Sequence, residues 1–179
     1  MDAADSGTQV MVEDLILTDA FLIKGTVENK FARLSKVLQS YAKQFLVVAS
    51  AKMVDLRRGE VIETPRVHVN MREIVIAHEF VDPAGDYFQA KLSGKSKETK
   101  PVKIRAFYHG STNLEIAGRI RPGAYEKEGL EGSSGFFVMD DVTLRGLEST
   151  VSPDFANLHR LDYAIINKNA LAYLYDFSS

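Results

Sequence analysis

Three segments from the first half of the chain recur, altered but in the same order, in the second half. The pairs are 21–27 (FLIKGTV) with 114–120 (LEIAGRI), 45–56 (FLVVASAKMVDL) with 136–147 (FFVMDDVTLRGL), and 69–80 (VNMREIVIAHEF) with 166–177 (INKNALAYLYDF). Matching positions lie 93, 91 and 97 residues apart. Self-similarity at a nearly fixed spacing indicates a repeated structural unit, so the chain is predicted to contain two copies of one small unit. A duplicated unit is typical of a scaffold or a binding surface.

Each copy has the residue pattern of a small β structure. Phe21, Ile23 and Val27 alternate with polar residues around Gly25, as in a half-buried strand. Further strands are predicted at 45–54, before 69, and at 74–80, 102–107, 114–120, 136–147, 163–166 and 170–177. Tight turns are predicted where an asparagine precedes the last strand of each copy, at Asn70 and at Asn167.

One short helix is predicted inside the first copy only. Asn29 is a suitable cap, and apolar residues then recur at spacings of three and four as far as Tyr41, which predicts about three helical turns. The corresponding stretch of the second copy, 121–135, contains a proline and four glycines. That composition predicts a long loop.

Domain boundaries follow from composition. The segment 93–101 (SGKSKETKP) contains no apolar residue and is predicted to be a flexible linker. The prediction is therefore a flexible N-terminus over 1–14, a first unit over 15–92, this linker, and a second unit over 102–179.

Composition restricts the functional classes. Of the 179 residues, 45% are hydrophobic and 26% are charged, so each half can form a core, and the net charge of −2 argues against a generally basic nucleic-acid-binding surface. The chain has no cysteine, which excludes disulfides and thiolate chemistry and favours the cytoplasm. The acidic start at Met1–Gly7 lacks the basic and then apolar pattern of a secretory signal, so none is expected, and no apolar run approaches the roughly 20 residues of a membrane span.

The order of elements in each copy resembles that of small five-stranded barrels of the Sm-like and SH3-like type. Asn70–Ile74 and Asn167–Leu171 stand where such barrels place a single 3₁₀ turn between their last two strands. The second of these segments resembles the Lys-His-Ala-Ile turn of the bacterial Sm-like RNA chaperone. The resemblance implies a mainly β fold of two tandem small barrel units, the first with one short inserted helix.

Residues 15–82 also resemble a bacterial family of small domains with unassigned function. The matching residues are Thr18-Asp19-x-Phe21-x-Ile23-x-Gly25-Thr26, Arg33-Leu34-Ser35-x-x-Leu38, Phe45 and Val69-Asn70-x-x-x-Ile74. The second copy lacks the Arg-Leu-Ser segment and is a degenerate version of the first. This resemblance implies a fold and assigns no catalytic residue.

Motifs for nucleotide and metal chemistry are incomplete. Gly94–Ser96 supplies only the end of a phosphate-binding loop, with Gln89 where the first glycine is needed. Adjacent strands would bring His68 and His78 together, but His78 aligns with Tyr175, which favours a packing role over metal binding. No metal and no small-molecule cofactor are expected.

Carboxylate pairs offer no clear catalytic site either. Asp140 with Asp141, and Asp82 with Asp86, would need an apolar cleft that separates their pKa values. Neither pair has an apolar sequence context, so both are expected to serve turns and strand ends. No catalytic residue is predicted.

The leading interpretation is a non-enzymatic protein that acts as a scaffold or accessory subunit. Small barrels have edge strands that pair with neighbours, so self-association or a protein partner is expected. The contact residues predicted on the last strands are Val75, Ala77, Ala172, Tyr173 and Tyr175.

The alternative interpretation is an RNA- or DNA-binding module. Local basic clusters supply the phosphate contacts that such a module needs. Its predicted residues are Lys30, Arg33 and Lys36 on the helix, with Arg57 and Arg58 in the following loop. A more distant alternative is an enzyme with a dispersed carboxylate or histidine site.

Overall fold

The computed structural model describes residues 13–80, 100–126, 135–147 and 153–177. Within these ranges the chain forms ten strands, one α-helix and three 3₁₀ turns. The strands are β1 (Glu13–Leu17), β2 (Phe21–Val27), β3 (Phe45–Asp55), β4 (Val61–Asn70), β5 (Ile76–Phe80), β6 (Val102–His109), β7 (Asn113–Ile120), β8 (Phe136–Arg145), β9 (Arg160–Asn167) and β10 (Tyr173–Asp176). The predicted mainly β class is confirmed, and each predicted strand overlaps an observed one.

All ten strands belong to one antiparallel sheet that is not closed. Its order is β10-β6-β7-β8-β9-β5-β1-β2-β3-β4. The two halves are therefore continuous, because β5 of the first half pairs with β9 of the second. Most of the predicted linker and the predicted flexible N-terminus lie outside the described residues.

The strand order is the same in both halves. In the first half it is β5-β1-β2-β3-β4, and in the second it is β10-β6-β7-β8-β9. Numbered within its own half, each order reads fifth, first, second, third, fourth. The junction between the halves thus joins a fifth strand, β5, to a fourth strand, β9.

Local backbone features also correspond between the halves. The β2–β3 ladder shifts register at Gly25, and the β7–β8 ladder shifts register at Gly118. On the strand opposite each shift, Ser50 and Asp141 adopt left-handed conformations with φ of 49° and 50°. A Cβ on Gly25 would lie 2.6 Å from the backbone oxygen of Ala49. Glycine therefore permits close approach at the first shift.

The 3₁₀ turns before the last strands share one cap. Asn70 Oδ1 accepts a hydrogen bond from the backbone N–H of Arg72, and Asn167 Oδ1 accepts one from that of Asn169, both at 3.1 Å. The turns themselves span Met71–Glu73 and Lys168–Ala170. These turns confirm the sequence prediction at both asparagines.

The helix α1 spans Leu34–Ser40 and is shorter than predicted. Asn29 does not cap it, since this residue lies in a preceding turn with φ of 55°. Instead, the Leu34 N–H donates to Glu79 Oε2 at 2.8 Å, so a side chain of β5 serves the first turn. Among the described helices, none has the length and apolar composition that a membrane crossing requires.

Two hydrophobic clusters fill the structure. One cluster contains Ile16, Ile23, Leu46 and other residues of the first half, together with Leu34 and Leu38 of α1. The second cluster is centred on the second half but also includes residues of β1 and β2. These are Leu15, Leu17 and Leu22. Because β1 contributes alternate residues to both clusters, both of its faces are buried.

Candidate assembly edges

Two strands end the sheet. Within the described ranges, β4 and β10 have a strand neighbour on one side only, and we call them the open edges. The Met71 N–H donates to Gln44 O, toward the β3 side of β4. By strand alternation, the backbone groups of Asn70, His68 and Arg66 point away from β3. An outward row of this kind is a template for another strand.

The β10 edge carries exposed aromatic residues. Tyr173, Tyr175 and Phe177 are all exposed. Phe107 stacks on Tyr175 with ring centroids 5.9 Å apart, and the Arg105 guanidinium lies 4.9 Å from the Phe177 centroid. This edge therefore combines unpaired backbone with rigid aromatic surface, a composition that suits protein contacts.

The β4 edge is also partly apolar. Val61, Ile62 and Phe45 are exposed, the last at the end of β3 beside β4. Arg66 is paired with Glu28 through an Nε–Oε1 distance of 2.7 Å. This edge is thus apolar at both ends with charge between them.

The internal junction shows how two such edges meet. Its ladder pairs Ile76 with Ile166 and Ala77 with Ile165. The Asn167 backbone N–H donates to Val75 O at 3.1 Å. Short strand pairing and one asparagine backbone group thus connect the two halves.

A buried side-chain bond reinforces this junction. Asn167 Nδ2 donates to Ile74 O at 2.9 Å. Asn167 is buried, so the bond satisfies a backbone carbonyl that water does not reach.

Aromatic residues continue the junction beyond the ladder. His78 Nδ1 lies 2.9 Å from Tyr163 O, and since a carbonyl only accepts, this ring nitrogen carries the proton. Burial lowers the pKa of His78 below its ordinary 6.5. The Tyr163 hydroxyl donates to Glu79 O and accepts from Glu79 N–H, and burial raises the pKa of Tyr163 to about 12.

The predicted partner residues divide between the junction and an open edge. Val75 and Ala77 are buried in the contact between the halves, so their predicted accessibility to a separate partner is wrong. Ala172 donates its backbone N–H to Phe107 O and is exposed. Tyr173 and Tyr175 lie exposed on β10.

Two of the predicted phosphate-binding cations are engaged with buried carboxylates. Lys30 Nζ lies 2.8 Å from Asp14 Oδ1 and 3.5 Å from Glu79 Oε1. Arg33 Nε lies 3.5 Å from Glu79 Oε2. Asp14 also accepts a bond from Val27 N–H, and burial raises the pKa of this carboxyl. This cluster fixes the segment before α1 to β1 and β5.

The remaining predicted cations are exposed. Lys36 lies on the solvent side of α1. Arg57 and Arg58 donate backbone N–H groups to Asp55 Oδ1, each at 2.8 Å, in the turn after β3. Arg57 and Arg58 line an open cavity of about 360 Å³, and Ser111 of the second half lines the same cavity.

The other candidate sites are not assembled. His68 is exposed on β4, whereas His78 packs between the rings of Phe80 and Tyr163. In the described part of the chain, no three His, Asp or Glu side chains are arranged to hold a metal ion. Gln89, Gly94–Ser96, Asp82 and Asp86 lie outside the described residues. Asp141 pairs with Arg160, with an Oδ1–Nη2 distance of 3.1 Å.

The roles of Asn167, Asp14 and Glu79 were not predicted from the sequence. All three are buried polar residues, and the bonds of Asn167 and Glu79 reach partners far away in the chain. The available signal was a polar residue on an apolar parity of a strand, such as Asp14, which shares the parity of Ile16. Comparison with models of protein families, with curated proteins and with solved structures gives no significant match.

Proposed function

We propose that this protein is a non-enzymatic scaffold or accessory subunit that associates through its open edges, β4 and β10. The observation that carries the proposal is that both ends of the sheet combine outward backbone groups with exposed apolar side chains. Strand addition at an edge gives affinity through backbone hydrogen bonds and specificity through alternate side chains. The absence of cysteine from the sequence suits a reducing, cytoplasmic setting.

An internal duplication underlies this function in the proposal. Each half is one copy of a small unit of the Sm-like or SH3-like barrel type. Support comes from the shared strand order, the matching register shifts at Gly25 and Gly118, and the asparagine caps at Asn70 and Asn167. A unit built from edge-exposing strands favours association over chemistry.

The test measures association and its dependence on the edges. The purified chain is studied by light scattering alone and after capture of partners from native lysate. His68→Pro places a ring and no N–H on the outward side of β4, and Tyr173→Glu places charge on β10. The matched control Thr143→Glu adds the same charge to an exposed position of the central strand β8.

The expected result is association that either edge variant weakens and that Thr143→Glu leaves intact. A chain that stays monomeric and captures no partner through either edge would contradict the proposal.

Nucleic-acid binding is a second candidate because Arg57 and Arg58 line a cavity open to solvent. Phosphate contacts give affinities that fall steeply with salt. RNA binding that weakens with salt, is lost in Arg57→Ala/Arg58→Ala, and survives the exposed control Arg160→Ala would favour this candidate. Binding unaffected by the double substitution would oppose it.

A further inference from the structure

We infer that the two open edges bind each other between copies of this chain, with β10 of one chain pairing antiparallel with β4 of the next. This inference rests on the proposed function and names its partner. The structure already contains one such contact, because β5 and β9 are the fifth strand of one half and the fourth strand of the other. The strands left open, β10 and β4, are the remaining fifth and fourth strands.

The internal junction supplies the register of the new contact. The caps Asn70 and Asn167 are matching positions, so a shift of 97 residues transfers β5 onto β10 and β9 onto β4. Transfer of the pairs Ile76–Ile166 and Ala77–Ile165 gives the intermolecular pairs Tyr173–Val69 and Leu174–His68.

The asparagine bonds transfer in the same way. At the internal junction Asn167 donates through its backbone N–H to Val75 O and through Nδ2 to Ile74 O. The counterpart Asn70 directs its backbone away from β3, toward an incoming strand. In the assembled form Asn70 would donate to the carbonyls of residues 172 and 171 of the neighbouring chain.

Burial at the internal junction explains why the open edges are apolar. Phe136 is 9% exposed and Ile76 is 0% exposed where the two halves meet. Their counterparts at the open edges are Phe45, which is 44% exposed, and Tyr173, which is 63% exposed. The same positions are thus covered inside the chain and uncovered at its ends. Phe136 shares its cluster with Leu34 and Leu38 of α1, and no described helix stands at the matching place in the second half. A second copy docked in the transferred register therefore covers Tyr173 and supplies no such helix over Phe45.

The length of the edges fits this contact. The internal ladder has only two residue pairs, so the four residues of β10 are sufficient. The register itself rests on the transferred pairs and on the asparagine bonds, because Arg66 is already paired with Glu28.

The two halves differ in the connection between their third and fourth strands, and this difference is compatible with the proposed contact. The 3₁₀ turn Pro153–Leu158 of the second half contributes to the cluster that buries Leu15 and Leu22 of the first. The short turn between β3 and β4 offers no such segment to a neighbour. The positions matching Leu15 and Leu22 are Arg105 and Glu115, a partly exposed ion pair with an Nε–Oε1 distance of 2.9 Å.

The contact uses different surfaces on the two chains, so it repeats head to tail. Each chain offers one β4 and one β10, and a repeated contact of this kind ends only when a ring closes. A face-to-face dimer through β4 and β4, or through β10 and β10, is a different arrangement that a mixing experiment separates from this one.

The mixing experiment uses two blocked variants of the full chain in sedimentation velocity. His68→Pro blocks β4 and leaves β10, whereas Tyr173→Glu blocks β10 and leaves β4. Each variant alone is expected to be monomeric, and an equal mixture is expected to form a 1:1 dimer and nothing larger. Dimers of either variant alone, or a mixture that stays monomeric while the unmodified chain assembles, would overturn the inference.

Disulfide crosslinking tests the register without relying on these variants. The chain has no cysteine, so introduced pairs report only on themselves. His68→Cys/Leu174→Cys is expected to give covalent dimers and larger species on mild oxidation, because directly opposite residues have Cβ atoms close enough for a disulfide. The control Arg66→Cys/Leu174→Cys is two residues out of register and is expected to crosslink at least tenfold less.

The outcomes separate this inference from the proposed function. If the unmodified chain is monomeric but captures a partner that either edge variant releases, the proposed function holds and the inference of self-pairing fails. If neither self-assembly nor edge-dependent capture is found, both fail. Equal crosslinking of the matched and shifted cysteine pairs would overturn the register alone.

Discussion

Asn167 reaches across the contact between the two halves to bond Ile74 O, whereas its counterpart Asn70 caps the same turn at the open edge β4. The two residues thus have one local role and two different surroundings. Substitutions at the two positions therefore separate the contribution of the turn cap from that of the bond across the junction.

Asn167→Ala is expected to lower the free energy of unfolding by about 1–3 kcal/mol, because it leaves the buried Ile74 carbonyl without its partner. Asn70→Ala removes the matching cap from a more exposed position and is expected to cost less. Urea unfolding in dilute solution measures both values. Equal losses for the two variants would contradict the account of the junction.

Acid is expected to destabilise the fold through His78. Burial holds the pKa of this histidine below 6.5 in the folded chain, so the unfolded chain binds the proton more readily. Stability is therefore full above pH 6.5 and falls, by up to about 1.4 kcal/mol per pH unit, as the pH drops below that value. His78→Gln should reduce this slope, and the control His159→Gln, at an exposed position, should keep it. Unfolding curves at several pH values measure the slope, and an unchanged slope in His78→Gln would refute the assignment.

Removal of the Lys30 ammonium is expected to be costly. Lys30→Met leaves the buried carboxylates of Asp14 and Glu79 short of a counter-charge, which typically costs about 3–5 kcal/mol. The matched control Lys36→Met, on the exposed side of α1, is expected to change stability by less than about 0.5 kcal/mol. Thermal and urea unfolding compare the two variants. Similar small effects would show that the ion pairs do not hold this segment in place.

The glycines at the register shifts are expected to differ in their tolerance of alanine. A Cβ on Gly25 meets the Ala49 backbone oxygen at 2.6 Å, and relief requires movement of β3. On Gly118 the two nearest atoms belong to the flexible Met139 side chain, at 2.6 Å, and the Asp140 backbone oxygen is farther away than the Ala49 oxygen is from Gly25, at 2.9 Å. Gly25→Ala is therefore expected to cost about 1–3 kcal/mol and Gly118→Ala less, as measured by urea unfolding. The reverse order would be inconsistent with these contacts.

The strands and turns were predictable because their signals are local. Alternation around Gly25 and the asparagines before the last strands each depend on a few neighbouring residues. The helix was placed too early because its first turn is served by Glu79, about 45 residues away, and not by Asn29. A cap that comes from a distant strand gives no signal in the residues next to the helix.

The candidate site was only partly predictable because it depends on which edges meet. Val75 and Ala77 have small apolar side chains, which occur both on free edge strands and on paired strands. The sequence therefore does not distinguish the two cases, and the structure shows both residues buried. Lys30 and Arg33 look like solvent-facing cations, and only the three-dimensional arrangement brings Asp14 and Glu79 beside them. Tyr173 and Tyr175 lie exposed because β10 ends the sheet, and their role as contact residues stays a prediction.

The long separation between the strands of the internal junction has a consequence during synthesis. Ile74 and Asn167 are 93 residues apart, a stretch that a ribosome takes roughly 5–19 s to translate at about 5–20 residues per second. Throughout that interval the emerging polypeptide presents β5 without β9. Ribosome-bound intermediates with this bare strand are therefore the species for which chaperone protection matters most.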